Sequence, residues 1–191
     1  FSSDVSQLFL GFWMTETSLV ELREKIISNR ALSAREIPKA LSDVTDQFLA
    51  ELYVTEIQNK DGVALVALGG YGRSELAPSS DLDLMLIHQD RDDIDSLADR
   101  LWYPLWDEGF KLGHSVRSVE QTLRLASTDL ETATSLLNGR LVAGDSTLLQ
   151  ELLARNEKQW VAHGLDRLDE LARNVRRRHL ISGEVAFLLE P

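Results

Sequence analysis

The stretch Val63-Ala-Leu-Val-Ala-Leu-Gly-Gly-Tyr-Gly-Arg-Ser-Glu-Leu-Ala-Pro-Ser-Ser-Asp-Leu-Asp-Leu-Met-Leu-Ile87 decides the fold of this chain. It begins with an apolar run, Val63 to Leu68, that stops at two glycines, which is typical of a buried strand. It ends with a second run, Asp81 to Ile87, in which leucines alternate with acids. We therefore predict two strands joined by a loop from Gly69 to Ser80, because that segment is rich in Gly, Ser and Pro.

Two carboxylates, Asp81 and Asp83, lie two positions apart in the second predicted strand. Successive side chains of a strand point to opposite faces, so these two acids share a face. Like charges side by side resist ionisation unless a cation lies between them, and Mg²⁺ is commonly held by one or two carboxylates together with phosphate oxygens. The preceding Gly69 and Gly70 let backbone N–H groups come close to a polyanion. The pattern predicts a site for a metal-bound nucleoside triphosphate.

Helical patterns surround the two strands. Before them, apolar stripes predict helices at Leu8, Phe9, Phe12 and Trp13, at Leu19, Leu22 and Ile26, and from a capping box at Ser33 and Glu36 up to Gly62. After them, we predict a helix on Ile94, Leu97, Leu101, Trp102 and Leu105, a weaker strand from Lys111 to Val119, and helices from Ser127 to about residue 180. In this last part Gly144 and Asp145 mark a helix end and a new start, and Leu165 and Leu168 are expected to face inward.

The composition excludes several classes of function. The net charge of −11 argues against nucleic-acid and anionic-membrane surfaces, which need basic patches. The absence of Cys excludes disulfides, thiolate metal sites and a Cys nucleophile, and indicates a reducing, cytoplasmic setting. The sequence contains no run of about 18 apolar residues, so it predicts no transmembrane helix. We expect a folded cytoplasmic protein with no nucleic-acid or membrane partner.

The segment from Gly69 to Leu84 resembles the signature of the DNA polymerase β-type nucleotidyltransferase superfamily. In its details it closely resembles the bifunctional PII uridylyltransferase/uridylyl-removing enzymes of bacterial nitrogen control. Further segments occur in that family's order and spacing: Trp102-Tyr-Pro-Leu-Trp-Asp-Glu-Gly109, Leu112-Gly-His-Ser-Val-Arg117, Asp129-Leu-Glu-Thr-Ala-Thr134, Arg140-Leu141, Gly144-Asp145 and Leu189-Glu-Pro191. The resemblance covers the chain from about residue 30 to its end.

The resemblance implies an α/β (α+β) fold, in which a small mixed sheet is wrapped by helices and followed by a helical C-terminal extension. It divides the chain into a nucleotidyltransferase domain with N-terminal helices at 1–125 and the start of a helical substrate- or partner-binding region at 126–191. The hydrolase of the full family enzyme needs a His-Asp pair, and this sequence contains none. We therefore expect the transferase portion of a longer enzyme, without uridylyl removal.

The resemblance also assigns roles to the site. The triphosphate is held by Gly69 and Gly70, Arg73 and Ser80 add phosphate contacts, and Asp81 and Asp83 are the catalytic residues that bind Mg²⁺ or Mn²⁺. The implied reaction is attack by a Tyr hydroxyl of the PII signalling protein on the α-phosphorus of UTP, or of ATP, with release of pyrophosphate. Two metal ions would hold the attacking and leaving oxygens.

One departure from the superfamily leaves the catalytic base unassigned. Many members place a third carboxylate on a following strand, but Gly113 to Arg117 contains no acid. His114 could act as a base or as a structural side chain, and Glu120 lies just beyond it. The missing acid keeps an alternative open, in which the chain is a catalytically silent, nucleotide-binding regulatory module like those of CBS-linked proteins.

Overall fold

The computed structural model describes residues 18–59 and 61–182, so the stripe at Leu8 to Trp13 and the segment Leu189 to Pro191 lie outside the described residues. The helices and strands follow one another along the chain in this order: α1 Leu19–Ile27, α2 Ile37–Glu56, β1 Val63–Ala67, α3 Gly69–Gly72, β2 Leu82–His88, α4 Ile94–Asp107, β3 Leu112–Ser118, α5 Val119–Thr128, α6 Leu130–Leu136, β4 Arg140–Gly144 and α7 Ser146–Ser182. In the described part of the chain, no helix combines the length and the hydropathy that crossing a membrane requires.

The four strands form one mixed sheet in the order β3-β2-β1-β4. β1 pairs antiparallel with both β2 and β4, whereas β3 runs parallel to β2. Helices cover both faces of the sheet. The predicted α/β class with a small mixed sheet and a helical C-terminal part is confirmed.

Strand alternation divides the core between the two faces. Leu82, Leu84 and Leu86 of β2 pack in one cluster with residues of α1, α2 and α4. Met85 and Ile87 pack in a second cluster with residues of α5, α6 and α7. Asp83 and Met85 are two positions apart in β2, so their side chains share a face of the sheet. Asp83 therefore lies on the face that α5, α6 and α7 cover, at the edge of that apolar cluster.

The prediction of helix between Ser127 and residue 180 is wrong at Arg140–Gly144, which form the edge strand β4. Five residues are too few for periodicity to separate a strand from a helix, and the pairing with β1 decides the conformation. Gly144 ends this strand at φ +98°, with Tyr53 Oη 2.5 Å from the position of an added Cβ. Asp145 then starts the predicted helix, and its carboxylate accepts from Thr147 N at 2.9 Å.

The predicted capping box at Ser33 forms only in part. Glu36 Oε2 accepts from Ser33 N at 2.8 Å, as predicted, but the Ser33 hydroxyl donates to the same carboxylate at 2.7 Å. The Glu36 N–H donates to Ser33 O at 3.0 Å rather than to that hydroxyl, and α2 begins at Ile37. The segment predicted to be a loop also differs, because its first residues, Gly69–Gly72, form the helical turn α3.

The inward orientation expected for Leu165 and Leu168 is wrong, since their side chains are 83% and 56% exposed. His163 has non-helical φ and ψ of −122° and 19°, which shifts the phase of α7 beyond it. Arg167 takes the buried position instead. Its Nη2 donates to Ala126 O at 2.9 Å, and its guanidinium lies 4.9 Å from the Trp160 ring centroid.

Candidate active site

The Asp83 carboxylate lies in a slot between two glycines. A Cβ added to Gly69 would stand 2.6 Å from Oδ2, and one added to Gly113 would overlap Oδ1. Gly69 also has φ +58°, which side-chain-bearing residues rarely adopt. Gly113 is the register partner of Asp83 across β2 and β3. Both glycines therefore leave the space that this carboxylate occupies.

The surroundings of Asp83 disfavour its charge. Burial raises the pKa of Asp83 above its usual range, and the nearby charges of Asp81 and Glu131 raise it further. A half-buried carboxylate among other anions is stabilised in its ionised form by a bound cation. Asp81, in contrast, is exposed and immediately precedes β2.

A cavity of about 720 Å³ opens beside this slot, a size typical of small-molecule sites. Its walls come from the turn α3, the start of β2, most of β3, α5, α6 and the residues that flank α6. The lining residues are Leu68, Gly69, Arg73, Asp83, Leu84, Gly113, His114, Ser115, Arg117, Leu125, Asp129, Glu131, Thr132, Thr134, Ser135 and Asn138. We call this the Asp83 cavity.

The structure brings three of the sequence-predicted site residues, Gly69, Arg73 and Asp83, into the Asp83 cavity. Ser80 and Asp81 line a second cavity of about 370 Å³ instead, which Arg23, Phe110 and Lys111 also line. Gly70 belongs to α3 and is half-buried, but it lines neither of these two cavities.

The helical turn α3, Gly69–Gly72, which we call the glycine turn, presents backbone N–H donors at Gly69 and Gly70. The bonds that close it run from Gly72 N to Leu68 O at 2.7 Å and from Glu75 N to Gly70 O at 2.9 Å. Within residues 18–59 and 61–182, no acceptor bonds to the backbone N–H of Gly69 or Gly70, as expected for the first residues of a helical turn. These two N–H groups can bind an anion.

Arg73 is already engaged with the turn. Its Nη1 donates to Gly69 O at 3.1 Å, and its Nε donates to Glu75 Oε2 at 2.7 Å. The ion pair with Glu75 is exposed, and exposed pairs of this kind contribute little free energy. The guanidinium is thus available to exchange Glu75 for another anion.

Sequence reasoning missed a second cation that lines the Asp83 cavity, Arg117. The β3 positions that share a face with Gly113 are Ser115 and Arg117, and both line the cavity. Arg117 is half-buried and forms no ion pair within the described ranges. Counting alternate positions along the predicted strand from Gly113 would have found it.

Sequence reasoning also missed two acids, Asp129 and Glu131, that line the cavity from the start of α6. The carboxylate of Asp129 is occupied, because it accepts from Thr132 N at 2.7 Å. Hydrogen bonding from the side chain and then the backbone of Thr132 lowers the pKa of Asp129. Glu131 contributes to the raised pKa of Asp83. Across the described residues, no group of three or more acidic or His side chains is arranged to hold a metal ion.

The two residues considered for the catalytic base both make contacts with other side chains. His114 lines the cavity, but its ring packs edge-on against Trp106 with centroids 5.3 Å apart. Glu120 pairs with Arg155, whose hydrogen bond lowers the pKa of Glu120. The base stays unassigned.

Known proteins that are similar to this chain include one protein family and several curated enzymes. Residues 20–121 match the nucleotidyltransferase family DUF294. A bifunctional uridylyltransferase/uridylyl-removing enzyme of Streptomyces coelicolor is 43% identical over 171 residues, which cover 88% of this chain and 20% of that protein. Enzymes with the same name in Mycobacterium tuberculosis and Phenylobacterium zucineum are 41% and 34% identical, over 71% and 82% of this chain.

The chain spans about a fifth of the length of these curated relatives. Among solved structures, one described as a toxin-antitoxin with AMP-PNP matches 66% of this chain and 98% of its own, with 11% identity and a TM-score of 0.41.

Proposed function

We propose that this chain, which belongs to the nucleotidyltransferase family DUF294, transfers a nucleoside monophosphate to a Tyr hydroxyl of the PII nitrogen-signalling protein. UTP is the proposed donor, with ATP as the other candidate. The Tyr oxygen forms a bond to the α-phosphorus, and the bond from that phosphorus to the bridging oxygen of the β-phosphate breaks. Pyrophosphate leaves, and the hydroxyl proton passes to a base that is not assigned.

The single observation that supports this proposal best is the position of Asp83. Its carboxylate lies between Gly69 and Gly113 at the wall of a cavity that Gly69, the first residue of the glycine turn, also lines. An acid that attracts cations therefore stands beside free N–H groups that attract anions, which is the combination that a metal-bound triphosphate needs. The N–H groups of Gly69 and Gly70 bind phosphate oxygens in this proposal.

Asp81 and Asp83 fit a divalent cation by the chemistry of their donors. Both offer hard carboxylate oxygens. Burial first, and then the negative charge of Asp81, raise the pKa of Asp83, and a bound cation would offset both effects. Two carboxylates are too few to enclose Mg²⁺ or Mn²⁺, so substrate phosphate oxygens would complete the coordination. The bound ion would neutralise negative charge on the phosphates.

The two arginines that line the Asp83 cavity have separate proposed roles. Arg73, next to the turn, exchanges Glu75 for a phosphate oxygen of the donor. Arg117, on β3, binds another phosphate oxygen. Ser80 lines the second cavity, so the phosphate contact proposed for it requires the triphosphate to extend beyond the Asp83 cavity. Guanidinium groups suit this task because they match phosphate geometry with paired donors.

The acceptor, PII, is proposed from the resemblance to the PII uridylyltransferase family. The relatives' name describes uridylyl transfer and uridylyl removal, and this chain is 31–43% identical to them. Only the transfer step is proposed here, because the sequence has no His-Asp pair for a hydrolase site.

The test is incubation of the purified protein with PII, Mg²⁺ and α-labelled UTP or ATP. Asp83→Asn serves as the inactive variant and Asp92→Asn, an exposed residue outside both cavities, as its matched control. Label on PII that Asp83→Asn loses and Asp92→Asn keeps supports the proposal, and the labelled nucleotide identifies the donor. Nucleotide binding without label on PII would favour the silent module.

A further inference from the structure

A polar network contacts the glycine turn through residues that do not line the Asp83 cavity. Asp46 of α2 accepts from the Tyr71 hydroxyl at 2.6 Å and from Arg140 Nη1 and Nη2 at 2.6 and 3.0 Å. Arg140 also donates from Nη2 to Tyr71 O at 3.1 Å and from Nε to Gly72 O at 3.3 Å. One guanidinium thus joins α2, the turn and β4.

The Arg140 guanidinium also covers the ring of the turn residue. Its central carbon lies 5.3 Å from the centroid of the Tyr71 ring, within the range of a cation–π contact. The Tyr71 side chain is only 2% exposed. Burial and the charge of Asp46 hold the pKa of Tyr71 well above its usual value, so the hydroxyl stays protonated and donates at neutral pH.

The backbone of the turn fits tightly into the same place. A Cβ added to Gly72 would overlap the carbonyl oxygen of Asn138 and stand 2.9 Å from that of Ala67. The turn is therefore seated between the end of β1 and the residues that lead into β4. Because Gly72 is held in this way and belongs to the same short turn, its contacts also restrict the positions of the N–H groups of Gly69 and Gly70.

The contacts of Arg140 depend on the planar, forked arrangement of the N–H donors in its guanidinium group. The guanidinium bonds two carboxylate oxygens of Asp46 and two backbone carbonyls of the turn at once. A Lys ammonium could neutralise Asp46, but it cannot supply this set of directed donors. Both side chains of the pair are more than two thirds buried, so removing one partner would leave a charge poorly solvated.

We propose that Arg140 and Asp46 are positioning residues that set the affinity of the glycine turn for the triphosphate. This inference rests on the proposed function. Neither residue lines the Asp83 cavity, so both act through Tyr71 and Gly72 rather than on the substrate. Their effect falls on the nucleotide and leaves the acceptor protein unaffected.

Arg140→Lys is the informative variant, because it keeps the positive charge beside Asp46 and loses the fork. We expect the KM for the nucleotide to rise about tenfold, with the KM for PII within twofold of the unchanged protein. The thermal midpoint should fall by no more than a few degrees. Arg155→Lys is the matched control, because Arg155 also binds two carboxylates, Glu120 and Glu151, on the surface. It should leave both KM values unchanged.

Hydrogen exchange provides a second test of the positioning role that does not require nucleotidyl transfer. In Arg140→Lys, amide exchange should quicken in residues 69–75 while β1 keeps its protection, and Arg155→Lys should change neither. A protein that transfers nothing would refute the proposed function, and the exchange data would still test the network. An unchanged nucleotide KM, an equal rise in both KM values, or faster exchange throughout the sheet would overturn the positioning role.

Discussion

Asp83 and Gly113 are register partners across the parallel strands β2 and β3, and the side chain that Gly113 lacks would overlap the Asp83 carboxylate. Glycine in the middle of a strand weakens it and commonly marks a close approach by another group. Here that group is the carboxylate proposed to hold the metal ion. The cost of a glycine in β3 is therefore linked to the geometry of the site.

Gly113→Ala should damage the site more than the fold. The added methyl displaces the Asp83 carboxylate, so we expect nucleotidyl transfer to fall at least about a hundredfold, as for a lost electrostatic contact in an active site. The thermal midpoint should change little, because β3 is an edge strand and Gly113 is exposed.

Gly164→Ala is the control for that change, since a Cβ there meets nothing within 4 Å. It lies in α7 and should stabilise the protein by up to about 1 kcal/mol while leaving transfer intact. Equal activity in the two variants would show that the Asp83 slot does not matter for the reaction.

Asp83→Asn should abolish transfer and raise the thermal midpoint in metal-free buffer at pH 7. The pKa of Asp83 is raised in the folded protein, so the folded state binds the proton more tightly than the unfolded state does. The contribution of Asp83 to stability is then complete below the unfolded pKa of about 3.9 and is lost as the pH rises through the folded pKa. Asn carries no charge and avoids this loss.

The difference in thermal midpoint between Asp83→Asn and the unchanged protein should therefore be more positive at pH 7 than at pH 4. Asp92→Asn, at an exposed position, should show no such trend. A difference that grows as the pH falls would contradict the raised pKa.

Metal ions should reverse the order of these stabilities. A cation that binds only the folded state stabilises it in proportion to the logarithm of its concentration over its dissociation constant. We expect Mn²⁺ or Mg²⁺, added with the nucleotide, to raise the thermal midpoint of the unchanged protein by several degrees and to raise that of Asp83→Asn much less. Chelation should stop transfer. An equal shift in both proteins would place the ion elsewhere.

The central part of the fold could be predicted because its signals are local. The apolar run at β1, the Leu-Asp alternation at β2 and the glycines between them lie within 25 residues. Alternation alone also places Asp83 and Leu84 on opposite faces, which agrees with the separate core clusters that contain Leu84 and Met85.

The remainder depends on contacts that no local pattern encodes. Arg140 and Asp46 are 94 positions apart, and their meeting requires both β4 and α2 to be in place. β4 itself is a strand because β1 offers it an edge. The separation of Asp81 from the Asp83 cavity likewise follows from where β2 begins, one residue after Asp81.

Arg117→Gln should weaken nucleotide binding without harming the fold. The guanidinium is half-buried at the wall of the Asp83 cavity and has no ion pair in the part of the chain that the structure describes, so its charge is available to the substrate. A hydrogen bond to a charged group contributes about 1.5–3 kcal/mol, which corresponds to a KM for the nucleotide raised roughly tenfold to a hundredfold. Lys111→Gln, at the second cavity, is the matched control and should leave that KM within twofold. If Lys111→Gln raised the KM and Arg117→Gln did not, the triphosphate would lie in the second cavity, beside Ser80 and Asp81.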